Sequence, residues 1–210
     1  MIQKKLHFIW LGDNIPNYVN FAIENFRNVN KDFEIYKWFF TIKDIENPKD
    51  ELLKRAIDDA LKNKKLPCNK HKPFIVIVSD NYRCVLLKHY GGIYLDCDTF
   101  PIKPFDEKLL RLNNFSVTRS YENNEIIFNE IFFMGLNNDK KENYKHYLLY
   151  PVDMDYENQD KVNLYKSFYN CTLEYGQHCN DPKRCYIDHY NDYSWNPNNC
   201  RVPLCKFDKI

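Results

Sequence analysis

Residues 79–98, SDNYRCVLLKHYGGIYLDCD, constrain this chain more than any other stretch. Ser79 can cap a helix, and Asp80 would then fall where the positive end of the helix dipole favours an anion. The helix is predicted to run to about Tyr90, with Val85, Leu86, His89 and Tyr90 on a face that can bury. Asp80 and Arg83 lie one turn apart and can point into the same space. Gly91 and Gly92 end the helix, because glycine takes the positive φ angles of a tight helix-to-strand reversal at little steric cost. The residues that follow alternate: Ile93, Leu95 and Cys97 face one way, Tyr94, Asp96 and Asp98 the other. One side is expected to be core and the other a polar wall.

Two carboxylates on one half-buried wall repel each other, and the repulsion drives one toward protonation unless a cation intervenes. A divalent metal is the simplest remedy. Oxygen ligands with no His/Cys cluster beside them suit Mn²⁺ or Mg²⁺, which hold few protein ligands and complete their shell with water and substrate phosphates. A lone D-x-D is more often a solvated strand end. Here it follows S-D-x-x-R, a Gly-Gly turn and I-Y-L-D, and the combined pattern is far more specific.

This block resembles the signature of the DXD-containing, retaining GT-A glycosyltransferases, the family of capsular-polysaccharide and yeast-type mannosyltransferases related to the glucosylating domains of large clostridial toxins. The resemblance implies a Rossmann-like α/β domain with a central mixed, mostly parallel sheet flanked by helices. It also implies a nucleotide-sugar donor bound through Mn²⁺ or Mg²⁺. Asp80 would hold donor-sugar hydroxyls, and Arg83 would contact the sugar or its diphosphate. Tyr94 would pack on the nucleotide, Asp96 would touch ribose, sugar or metal, and Asp98 would ligate the metal directly.

A second point of resemblance lies at Lys5 to Leu11, a mainly apolar run closed by Gly12 that reads as the first strand. By resemblance Trp10 stacks on the nucleotide base, with Leu11 beside it in the same binding site. Ordinary core is the alternative for Trp10. A third point is Asp188-His-Tyr-Asn-Asp-Tyr-Ser-Trp195, in which His189, Ser194 and Trp195 match a lid that closes over metal and diphosphate. Imidazole can ligate Mn²⁺, which makes His189 a metal candidate. Asp192-Tyr193 replace the small residues usual before the Ser-Trp. Asn129 matches a position near donor sugar and acceptor, with simple turn chemistry as the alternative. The Gly-His-Pro common after it in the family is missing here.

Elsewhere the pattern alternates. A helix is predicted from Pro16 to about Asn28, a strand at 33–40, a helix from Pro48 to about Lys64, and a short strand over the β-branched run 73–78. Pro101 and Pro104 mark a turn before a short helix at 105–112. Strands at about 115–120 and 130–135 extend the sheet, and 140–150 reads as a helix. The order argues for an α/β layered domain. A length of 210 residues fits a single catalytic domain spanning 1–210.

A formal net charge of +1 leaves no basic footprint for nucleic acid. No run approaches the roughly 18 to 20 apolar residues of a membrane span, and the amino terminus lacks a signal peptide, so a soluble, cytoplasmic protein is expected, at most peripheral to a membrane. Five of eight cysteines, Cys171, Cys179, Cys185, Cys200 and Cys205, crowd the carboxyl-terminal part without a C-x-x-C pair. Free thiols are the default there, with disulfides or a zinc site around His178 as alternatives. Cys84 and Cys97 read as small buried hydrophobes.

The resemblance implies a metal-dependent retaining transfer of a sugar from a UDP-sugar, or a GDP-sugar, to a glycan or glycolipid acceptor, as in polysaccharide biosynthesis. A nucleotide-sugar- or carbohydrate-binding protein without turnover is the alternative from another class, and a protein acceptor is a further one.

Overall fold

A computed structural model describes residues 1–64, 72–111, 114–119, 130–136 and 186–189. The chain opens with β1 (Lys5–Leu11), α1 (Asn17–Val29), β2 (Glu34–Phe40), α2 (Ile42–Glu46), α3 (Glu51–Asn63) and α4 (Phe74–Tyr90). It continues with β3 (Gly92–Leu95), β4 (Thr99–Pro101), α5 (Glu107–Leu110), β5 (Asn114–Arg119), β6 (Glu130–Leu136) and β7 (Ile187–His189). Five strands form one sheet in the order β2-β1-β3-β6-β5, and β4 pairs with β7 in a second, two-stranded sheet. β1 runs parallel to both β2 and β3, whereas β6 is antiparallel to β3 and to β5. The sheet is mixed, with its parallel part at β2-β1-β3.

Each face of the parallel part is covered, and period-two alternation sorts the strand side chains between the faces. Leu6, Phe8, Ile93, Leu95 and Cys97 pack with Val19, Ile23 and Phe26 of α1 and with Leu109 and Leu110 of α5. Ile9 and Tyr94 pack on the opposite side with Leu53, Ala56 and Ala60 of α3 and with Ile77, Tyr82 and Leu86 of α4. Because both faces are covered, all four residues of β3 are buried. The alternation is as expected, but the polar wall is replaced by a second core.

The run 73–78 is helical, not a strand. α4 starts at Phe74 behind Pro73, and Ile77, Val78, Tyr82, Val85 and Leu86 recur at helical spacing on its buried side. That packing outweighs the β-propensity of Ile75 to Val78. Ser79 therefore lies within the helix and caps nothing, and Asp80 is past the first turn where the dipole acts. His89, expected on the burying face, is exposed. The short α2 was not legible as a separate helix; Thr41 and Asp44 close a reciprocal capping box at its start.

His7 fixes the junction between α4 and β3. It is fully buried, and the Trp38 indole N–H donates to its Nδ1 at 3.1 Å. An indole nitrogen can only donate, so the proton of the neutral ring is on Nε2, which donates to the Gly91 carbonyl at 2.9 Å. Burial pushes the imidazole down to about 4. Gly91 and Gly92 both have positive φ, 65° and 93°. A Cβ on Gly92 would stand 2.7 Å from the Lys5 carbonyl oxygen, so strand β3 enters the sheet at a point with no room for a side chain.

Candidate active site

β3 ends at Leu95, one residue before the first aspartate. Asp96, Cys97 and Asp98 thus form a turn between β3 and β4, not the end of one strand. The turn is pinned at three points. Thr99 is fully buried, and its hydroxyl donates to the Asp96 carbonyl at 2.6 Å while its backbone N–H reaches the same oxygen at 3.2 Å. The Cys97 thiol donates to the Ile9 carbonyl of β1 at 3.1 Å. With Cys97 turned into the core, Asp96 and Asp98 are both left partly exposed. Cys97 is the small buried side chain that its place in the alternation predicts, whereas its anchoring bond and the role of Thr99 have no separate signal in the sequence.

The helix side of the site comes from the middle of α4. Arg83 is nearly buried and forms an ion pair with Asp80 one turn before it. Its guanidinium lies over the Tyr94 ring, 5.2 Å from the centroid, and its Nη1 stands 3.7 Å from Asp96 Oδ1. The Tyr94 hydroxyl donates to that same Asp96 oxygen. Burial, with the Asp96 charge second, pushes the Tyr94 phenol well above its ordinary value, so it stays a donor. Lys72 Nζ contacts the other oxygen of Asp80 at 3.0 Å. Cations and carboxylates therefore alternate along Lys72, Asp80, Arg83 and Asp96.

The sequence-derived residues divide accordingly. Asp80, Arg83, Tyr94 and Asp96 are brought together, and Asp98 follows on the same turn. Tyr94 is 3% exposed, with its ring beneath Arg83 and its hydroxyl on Asp96. Trp10 and Leu11 end β1, which runs beside β3 in the same direction, so they lie toward the same end of the sheet as Asp96. They face opposite sides: Trp10 packs on the α1 core, edge-on to Tyr18, and donates from its indole to the Asn14 carbonyl at 2.8 Å, whereas Leu11 packs on the α3–α4 core. The backbone of His189 pairs with Thr99 in the β4–β7 ladder, next to Asp98 in sequence. Asn129, Ser194 and Trp195 lie outside the described residues, as do the helix expected at 140–150 and the carboxyl-terminal cysteines.

The turn suits a hard divalent ion. Its donors are two carboxylates, and the intervening Cys97 thiol is pushed well above its ordinary value, first by burial and then by the charges of Asp96 and Asp98, so it is no ligand. Among the described residues no group of three or more His, Cys, Asp or Glu gathers into a cage. Mg²⁺ and Mn²⁺ use one or two protein carboxylates and take the rest of their shell from phosphates and water.

Residues 16–116 match the family described as glycosyltransferase sugar-binding region containing DXD motif. The match takes in α4, the Gly-Gly turn, β3 and the Asp96–Asp98 turn, and leaves β1 and residues beyond 116 outside it. Among solved structures the chain is similar to the PaToxG glycosyltransferase at 17% identity, over 70% of this chain and 65% of that one, with a TM-score of 0.39. It is also similar to the catalytic domain of alpha-toxin from Clostridium novyi, at 14% identity over 66% of this chain and 56% of that one, with a TM-score of 0.39. The UDP-bound glycosyltransferase domain of the YGT toxin matches at 14% identity over 48% of this chain and 40% of that one, with a TM-score of 0.30. The chain thus spans less than two thirds of the length of each. No curated protein matches in sequence.

Proposed function

We propose that this chain is a metal-dependent, retaining glycosyltransferase that moves a sugar from a UDP-sugar to a glycan or glycolipid acceptor, acting as one catalytic domain. The observation that carries the proposal is the convergence of Asp80, Arg83, Tyr94 and Asp96 beside the Asp96–Asp98 turn, within the segment that matches the DXD family. In a parallel α/β sheet the ligand crevice lies beyond the carboxyl ends of the strands, and this cluster lies just past the end of β3.

Asp98 and Asp96 would hold Mn²⁺ or Mg²⁺, with His189 as a further ligand. When bound, the ion offsets the negative charge that builds on the departing diphosphate. Arg83, held over Tyr94, would supply positive charge to the same end. Asp80 accepts hydrogen bonds from sugar hydroxyls and so sets the position of the anomeric carbon relative to the leaving group. By the family resemblance Trp10 would stack on the nucleotide base, Asn129 would serve the acceptor side, and Ser194 and Trp195 would close over the diphosphate, whereas Leu11, on the opposite side of the sheet from Trp10, would not reach the same base.

The test is a proton NMR time course on a panel of UDP- and GDP-sugars with Mn²⁺, following the anomer first released to water. Release of the donor's own anomer is expected, and the opposite anomer would overturn retention. No consumption of any donor would overturn the enzymatic reading.

A further inference from the structure

Lys72 is absorbed neither by the DXD motif nor by the S-D-x-x-R pattern, yet it is the second cation on Asp80. Its Nζ stands 3.0 Å from Asp80 Oδ2, while Arg83 pairs with Oδ1. The two cations meet different oxygens of the carboxylate: Arg83 comes from the helix turn after Asp80, and Lys72 is the residue ahead of Pro73. That proline caps α4 with φ of −55° and fixes where the chain enters it.

The consequence lies in how Arg83 divides its charge. Its guanidinium serves two carboxylates, Asp80 in direct contact and Asp96 at 3.7 Å. An Asp80 carboxylate with one cationic partner would draw Arg83 toward itself and away from Asp96. Lys72 at the opposite oxygen opposes that pull, so the carboxylate stands between two cations while the guanidinium lies over Tyr94 and 3.7 Å from Asp96. We infer that Lys72 is a positioning residue for the donor sugar: it acts through Asp80, setting the orientation in which that carboxylate meets sugar hydroxyls and keeping Arg83 directed at Asp96.

A role in folding is a poor account of the pair. Both side chains are partly exposed, 34% for Lys72 and 26% for Asp80. Ion pairs with that access to water contribute little to stability, because solvent screens them and two long side chains must be ordered. The same pair can matter far more to a ligand, since a carboxylate turned out of register loses hydrogen bonds it was placed to make.

The inference rests on the glycosyltransferase reading, and one experiment separates the two. Dissociation constants with Mn²⁺ are measured for UDP-glucose, UDP-N-acetylglucosamine, GDP-mannose, UDP and GDP, on wild type, Lys72→Met, Lys72→Arg, Asp80→Asn and the double variant Lys72→Met/Asp80→Asn. If wild type binds no nucleotide sugar and no nucleotide, the glycosyltransferase reading fails and takes this inference with it.

If wild type binds, Lys72→Met is expected to weaken the preferred nucleotide sugar about tenfold, the scale of one lost charge-assisted hydrogen bond. Its affinity for the parent nucleotide should stay within about twofold and its melting temperature within about 2 °C. Lys72→Arg should restore most of the loss. In the Asp80→Asn background the Lys72 substitution should have no further effect, because its partner's charge is gone. Wild-type affinity in Lys72→Met, an equal loss for sugar and parent nucleotide, or the same loss in the Asp80→Asn background would each overturn the inference.

Discussion

Tyr94 shows how much of this site is built from underneath. Its ring supports the Arg83 guanidinium, and its hydroxyl donates to the Asp96 oxygen that Arg83 also faces. Replacing it with phenylalanine keeps the ring and removes the donor, so Tyr94→Phe is expected to cost about 1 kcal/mol of transition-state stabilisation, read as a roughly five- to tenfold lower kcat/KM. Arg83→Lys removes more. A lysine ammonium cannot lie flat over the ring and face both carboxylates, so kcat/KM is expected to fall about 100-fold in steady-state donor kinetics, with the fold retained by circular dichroism. The pairing of Asp80 with Arg83 was legible in the sequence because residue type and helical spacing suffice to place two groups one turn apart. Lys72 was not, since nothing in the spacing of residues 72 and 80 says that a lysine ahead of a helix start lies along it. The pins at Cys97 and Thr99 were equally hidden, because both bonds end on backbone carbonyls.

At the level of elements, the Gly91–Gly92 reversal decides where the aspartates stand. It was legible, because two consecutive glycines between a helical and a strand pattern have one simple explanation. What the sequence did not reveal is why a side chain is excluded: Gly92 meets the Lys5 backbone, a contact that exists only once β1 and β3 are parallel neighbours. Gly92→Ala is expected to destabilise the protein by about 3 kcal/mol or more in urea titrations, from a positive φ together with a backbone clash. The β-branched run before Ser79 misled for the converse reason. Propensity is a local quantity, and Ile77 and Val78 take their conformation from the α3–α4 contact that buries them.

His7 belongs to this scale as well, since it joins β1, β2 and the Gly91 carbonyl. Burial lowers its folded-state pKa from 6.5 to about 4. The unfolded chain therefore binds more protons at this site between those values. The stabilisation is fully present above about pH 6.5 and lost as pH falls through about 4, up to about 3 kcal/mol in all. Urea unfolding between pH 7 and pH 4 should show this loss in wild type and a smaller slope in His7→Gln, with Asp and Glu titration common to both.

Taken whole, the molecule is a mixed α/β layer with its parallel strands in one half of the sheet and its site at their carboxyl ends. That architecture was legible from the alternation of strand and helix patterns, although the antiparallel attachment of β6 to β3 was not, because a strand's direction depends on its connection and not on its own residues. Among the described residues no helix is long and apolar enough to cross a membrane. The proposed activity requires the Asp96–Asp98 turn and the α4 cluster to bind and cleave a nucleotide sugar together with a divalent ion. Nucleotide release from a panel of UDP- and GDP-sugars by wild type and Asp98→Ala, each with Mn²⁺ and with chelator, tests this directly. Release from one donor that needs Mn²⁺ and falls at least about 100-fold in the variant is expected. Release that survives both chelator and Asp98→Ala would contradict it.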